Sequence, residues 1–196
     1  MNSHTELVAS GEDHRVARLA ALAIGLALCE AALPSPLPGV KPGLANIVVL
    51  LVLHRYGIGT AAWVSLLRVT AGSLLFGSFL GPTFVLSFTG AAFSLGSLLL
   101  AVRLPRRWFG PVSHSIVSSF AHIAGQMTVV YLWLIPNPGI VYLLPVFAAA
   151  ALVFGAANGL IAARLLRDSK SVSEPAQYPR LSNAQAQAMP ATSTPQ

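Results

Sequence analysis

The sequence predicts an all-α membrane protein: a six-transmembrane-helix bundle with both termini cytoplasmic and a second span that is short or broken. Three observations predict it. Hydrophobic residues fill 55% of the 196 positions and charged residues 9%, against about 25% charged in soluble domains, and the mean hydropathy is +0.69. The apolar residues fall in six runs, near 15–33, 43–56, 58–77, 82–102, 112–134 and 139–166. Basic residues collect at alternate breaks between those runs.

Each element follows in order. Residues 1–14 form a polar N-terminal segment with Glu6, Glu12 and Asp13. It does not read as a cleavable signal peptide, so the first run is a retained helix. A spanning helix needs ~20 residues. The second run falls short of that, so it continues from the preceding Pro/Gly segment or sits behind it as a broken helix. The third, fourth and fifth runs each reach spanning length, and the sixth is long enough to tilt or to extend into water. Residues 15–166 therefore make one six-helix membrane domain. Residues 167–196, rich in Ser, Pro, Ala and Gln, form a disordered cytoplasmic tail.

Orientation comes from the basic residues. Arg15 and Arg18 precede span one, His54 and Arg55 lie between spans two and three, Arg103, Arg106 and Arg107 between four and five, and Arg164, Arg167 and Lys170 follow span six. This places both termini in the cytoplasm of a protein that crosses the cytoplasmic membrane several times. The net charge of +6 and pI near 10.3 are thereby explained by topology and lipid contact, without a nucleic-acid partner. The single cysteine, Cys29, forms no internal disulfide.

Against that pattern Lys41 stands apart. It is the one basic residue on the outer side, in Pro34-Ser-Pro-Leu-Pro-Gly-Val-Lys-Pro-Gly-Leu-Ala-Asn46. Extended backbone between spans is tolerated where it lines a polar cavity, and a lone ionisable residue there points to a functional site. The structural alternative is a solvated loop.

Polar groups inside the spans extend the candidate site. Glu30 lies near the outer end of span one, Asn46 opens span two, Arg68 sits mid-span three and Asn158 lies in span six. An unpaired Arg at a helix centre costs about 2.5–3.5 kcal/mol on insertion scales. Arg68 must therefore face inward, towards a ligand or towards Glu30, the only acid within the spans. His114, Ser118, His122 and Gln126 recur every four residues along span five as a drifting stripe. They form a cavity wall or interhelical glue. Two histidines two turns apart with no Cys or carboxylate at ligand spacing give no metal site.

Small residues are dense. Ala17, Ala21 and Gly25 form one ridge of span one and Ala23, Ala27 and Ala31 another, with Gly90 and Ser94 in span four and Gly155 and Gly159 in span six. Four-residue spacing of small side chains lets helices approach closely. The Ala ridges either pack internally or dock another membrane subunit. Several chemistries have no motif here. The nucleotide-binding Gly-x-x-x-x-Gly-Lys-Ser/Thr loop, the His-Glu-x-x-His motif, a Ser/His/Asp order and a carboxylate cluster for magnesium do not occur, so catalysis is not expected.

The run Leu37-Pro-Gly-Val-Lys-Pro-Gly-Leu-Ala-Asn46 resembles the signature of the Gx transporter family, also called heptaprenyl diphosphate synthase component I. Arg68, Ser87-Phe-Thr-Gly90, Ser94, and His122 with Gly125-Gln126 match as well, over roughly residues 15 to 166. Relatives usually carry a His-Asn pair where this chain has His122-Ile123. The family in turn resembles the substrate-binding S components of energy-coupling-factor transporters.

That resemblance implies a six-helix S-component-like protein that captures a small molecule from outside and topples in the membrane while docked on a T component. Two partner ATPases would hydrolyse the ATP, and no cofactor would bind this chain directly. Lys41, Asn46, Arg68, His122, Gln126 and Glu30 are then the substrate-binding candidates for a small anion, and Ala17, Ala21, Ala23 and Ala27 the partner-docking ridge. The synthase label implies instead a non-catalytic membrane anchor for a soluble prenyl diphosphate synthase subunit in menaquinone side-chain synthesis, docked through Arg103-Leu-Pro-Arg-Arg107 or the tail.

Overall fold

The computed structural model describes residues 10–32, 43–104 and 110–173, without the side chains of 31, 32 and 169–173. It is helical throughout: α1 (Gly11–Ala32), α2 (Leu44–Tyr56), α3 (Ile58–Leu75), α4 (Pro82–Ala101), α5 (Pro111–Val129) and α6 (Leu144–Ser173). A π-helical turn (Val130–Leu134) and a 3-10 turn (Pro138–Leu143) link the last two. Among the described residues four segments are long and apolar enough to cross a membrane: Ile58–Leu75, Pro82–Ala101, Pro111–Leu134 and Pro138–Asp168. The chain is a multi-pass helical membrane protein. Helix α6 runs on to Ser173, past the tail boundary expected at 166.

Local sequence starts and stops the helices. Ser10 and Asp13 cap α1 reciprocally: Ser10 N–H and Oγ–H both donate to Asp13 Oδ2 at 2.8 Å, and Asp13 N–H donates to Ser10 Oγ at 3.2 Å. This is the capping-box arrangement with Asp at the third position. The bonds from the Ser10 backbone and side chain hold the Asp13 carboxyl below its usual range. Pro82 and Pro111 open α4 and α5, where a missing N–H costs nothing. Gly57 alone links α2 to α3 with φ +91°, a conformation that L side chains rarely adopt.

Helix α2 is the centre of the bundle. It has 13 residues, about 20 Å of helix against a hydrocarbon thickness of about 30 Å. From Ile47 to Leu53 it is apolar all round, and Val48, Val49, Leu50 and Val52 are at most 2% exposed. A helix without a polar face has to be covered on every side. Ala23 of α1, Val64 of α3, Leu98 of α4 and Ala162 of α6 close around it. The expected short second span is thus a buried central helix.

Helices α4, α5 and α6 pack through small residues. A Cβ added to Gly125 would lie 2.9 Å from the Thr89 carbonyl oxygen, one on Gly155 3.1 Å from Ile116 Cα, and one on Gly159 2.7 Å from Val112 Cα. Such close backbone approach is how membrane helices associate without a hydrophobic driving force between them. The opposite, outer surface carries Trp63, Leu75, Leu100, Leu132 and Val153, all more than half exposed. Lipid covers such a surface.

Neighbouring helices run antiparallel, which sorts the charges. The Arg15 guanidinium sits 5.2 Å from the Tyr56 ring centroid, joining the start of α1 to the end of α2. His54 Nε2 lies 3.3 Å from His114 Nδ1, joining the end of α2 to the start of α5. Arg15, His54, Arg55 and His114 therefore share one end of the bundle. The polar residues Glu30, Asn46, Arg68 and Gln126 lie towards the other.

Candidate functional site

At that other end the helices surround a cavity of about 320 Å³. Glu30, Asn46, Arg68, His122 and Gln126 line it together. Five residues from α1, α2, α3 and α5, far apart in sequence, are thus brought to one space. Lys41 lies outside the described residues, as do Arg106 and Arg107.

The cavity is organised around the start of α2. Gly43 takes φ +73° there. The Glu30 carboxylate, reaching over from α1, accepts from Gly43 N–H through Oε1 and from Leu44 N–H, 3.0 Å from Oε2. On the far side Asn158 Nδ2 of α6 donates to the Gly43 carbonyl at 3.3 Å. The first N–H groups of a helix have no intrahelical partner, and water is scarce at this depth. A carboxylate also suits the positive end of the helix dipole. Glu30 therefore acts as the cap of α2, supplied by another helix.

That role changes the expected fate of Arg68. Among the described residues no ion pair joins Arg68 to Glu30, because both Glu30 oxygens face the backbone of α2. Arg68 Nε is buried and has no hydrogen-bond partner. Glu30 is still near enough to act on the guanidinium electrostatically. Among the described residues the site holds a guanidinium whose Nε has no acceptor and a carboxylate already committed to backbone N–H groups.

Helix α5 supplies the opposite wall. The His122 ring lies against α4, where a Cβ on Gly90 would come within 2.8 Å of it. Below the cavity Asn46 Nδ2 donates to Ser118 Oγ at 3.3 Å and Ser94 Oγ to Ser118 Oγ at 3.1 Å, tying α2, α4 and α5 together. The four-residue stripe expected on α5 therefore divides. His122 and Gln126 line the cavity, Ser118 is buried beneath it, and His114 meets His54 at the basic end. Each four-residue step turns the helix by about 40° beyond a full turn, so His114 and Gln126 point about 120° apart.

The Ala ridges of α1 divide as well. Ala17 and Ala21 are exposed, Ala23 is 0% exposed in the core and Ala27 lines the cavity. Ala23 and Ala27 are not available to a docking partner in this arrangement. Six residues separate Ala17 from Ala23, which puts the ridges about 120° apart on one helix.

The sequence reading did not name every lining residue as a site. Asn158, Ser87 and Ser119 line the cavity, and Phe76, Phe84 and Phe154 give it an apolar wall. Asn158 carried a usable signal, a polar side chain inside an apolar run. The phenylalanines carried none, since apolar residues in a span say nothing about which side they face. Among the described residues no group of three His, Cys, Asp or Glu could hold a metal ion.

Fold and cavity together define a helical membrane protein built around a small polar chamber with one guanidinium among its described lining residues. A family model described as heptaprenyl diphosphate synthase component I matches residues 19–165, from α1 through most of α6. The chain belongs to that family, the Gx transporter family. No curated protein and no solved structure matches the chain.

Proposed function

We propose that this chain is a substrate-capturing membrane subunit, similar to an S component, for import of a small anionic molecule. The observation that carries the reading is Arg68, a cation lining an internal cavity with no acceptor on Nε. A charge inside the membrane marks a pathway or a ligand site by default. The cavity's distance from the basic end supports an outward-facing mouth in the cytoplasmic membrane, with both termini in the cytoplasm. Energy would come from partners, a T component and two ATPases. Asn46, His122 and Gln126 supply hydrogen bonds to the ligand, while Glu30 keeps the start of α2 in place.

The description of the family favours a second reading, a non-catalytic membrane partner of a soluble prenyl diphosphate synthase subunit. Affinity purification from native membranes in mild detergent, with mass spectrometry of what co-purifies, separates the two. Two ATPases and a second polytopic protein establish import. A soluble, Asp-rich synthase subunit in their place establishes the anchor reading and returns Arg68 to a structural role.

A further inference from the structure

We infer that the cavity takes a compact organic carboxylate, carried on an aromatic or short apolar body; this rests on the substrate-capture reading above. Three observations carry it. The first is charge. Among the described lining residues Arg68 is the only Lys or Arg and Glu30 the only acid. Glu30 is held on the backbone of Gly43 and Leu44, so its negative charge stays beside whatever binds Arg68. One carboxylate is matched by one guanidinium, whose planar fork suits it.

The second observation is size. About 320 Å³ lies at the lower limit of small-molecule pockets, which run from about 300 to 1,000 Å³. That suits one or two rings or a short chain, and it leaves no room for seven isoprenyl units. The third is the apolar wall. The Phe84 ring lines the cavity and is braced by Phe79 and Phe88, at centroid distances of 5.1 and 5.8 Å. A ring held in this way is a preformed surface for the apolar body of the ligand.

The test uses the full chain in lipid nanodiscs and isothermal titration with 2-naphthoate, octanoate, the neutral isostere 2-naphthamide, and geranyl diphosphate. The expected result is saturable binding of at least one carboxylate, at least about tenfold weaker binding of the amide, and weaker binding of geranyl diphosphate than of that carboxylate. Arg68→Gln should weaken the carboxylate at least about tenfold. Phe84→Ala, which leaves the charge in place, should weaken 2-naphthoate and so serves if Arg68→Gln does not fold. Equal binding of amide and carboxylate, tighter binding of geranyl diphosphate, or no binding of either carboxylate overturns the inference. Co-purification of ATPases without carboxylate binding overturns the ligand class and leaves the import reading standing. Arg68-dependent carboxylate binding without ATPases does the reverse.

Discussion

Glu30, at the end of α1, accepts a hydrogen bond from the backbone N–H of Leu44, 3.0 Å away at the start of α2. A side chain that looks like a membrane counter-ion is bonded to the backbone. Removing it in Glu30→Ala leaves two part-buried N–H groups without an acceptor, at a cost of about 2 kcal/mol for bonds to a charged group. Glu30→Gln keeps one carbonyl oxygen and should cost about half as much. Thermal unfolding in detergent ranks the two. Equal midpoints for wild type and Glu30→Ala would show that the cap contributes nothing.

The α5–α6 seam makes a sharper prediction, because it has an internal control. A Cβ on Gly159 would lie 2.7 Å from Val112 Cα and 2.9 Å from Ser115 Cβ, whereas one on Gly25 would meet nothing within 4 Å. Overpacking costs about 1–3 kcal/mol, while Ala gains up to about 1 kcal/mol over Gly in a helix. Gly159→Ala should lower the unfolding midpoint and Gly25→Ala should leave it unchanged or raise it. A Gly159→Ala protein as stable as wild type would mean that the helices can separate without loss.

Much of this fold was legible because the membrane simplifies the code. Run lengths located the helices, and the shortness of 43–56 marked α2 as unusual. The residues Glu30, Asn46, Arg68, His122 and Gln126 stood out because polar groups are scarce in spans. What could not be read was pairing. Glu30 was the only acid on offer for Arg68, but the competing donors were backbone N–H groups at the start of α2, visible only once α1 and α2 are side by side. His114 shared a stripe with His122, yet eight residues of helix are about 12 Å long, enough to carry it from the cavity to the basic end.

The start of α1 gives the pH prediction. Hydrogen bonds from Ser10 lower the Asp13 pKa. A carboxylate depressed in the fold contributes stability that is present above its unfolded value, about 3.9, and is lost as pH falls through the folded value. The first turn of α1 should therefore be protected from amide exchange above about pH 5 and fray on acidification below the ordinary carboxylate range. Ser10→Ala should reproduce that fraying at neutral pH. Equal protection factors in wild type and Ser10→Ala at neutral pH would rule out the reciprocal cap.

Two glycines of the α4–α5 contact separate the cavity wall from the scaffold behind it. A Cβ on Gly90 would meet the His122 ring at 2.8 Å, and one on Gly125 would meet the Thr89 carbonyl oxygen at 2.9 Å together with Phe93. The His122 ring is the far end of a side chain beside an open cavity, so it can swing aside. The Thr89 carbonyl belongs to the α4 backbone and cannot move without the helix. Gly90→Ala should cost less than about 1 kcal/mol, with the loss offset by better helix propensity, and should alter ligand binding by displacing His122 within the chamber. Gly125→Ala should cost about 1–3 kcal/mol by forcing α4 and α5 apart. Unfolding midpoints and ligand titrations on both variants decide the matter. If Gly90→Ala is the more destabilising of the two, His122 is a packing residue of the α4–α5 seam and not a movable wall of the cavity.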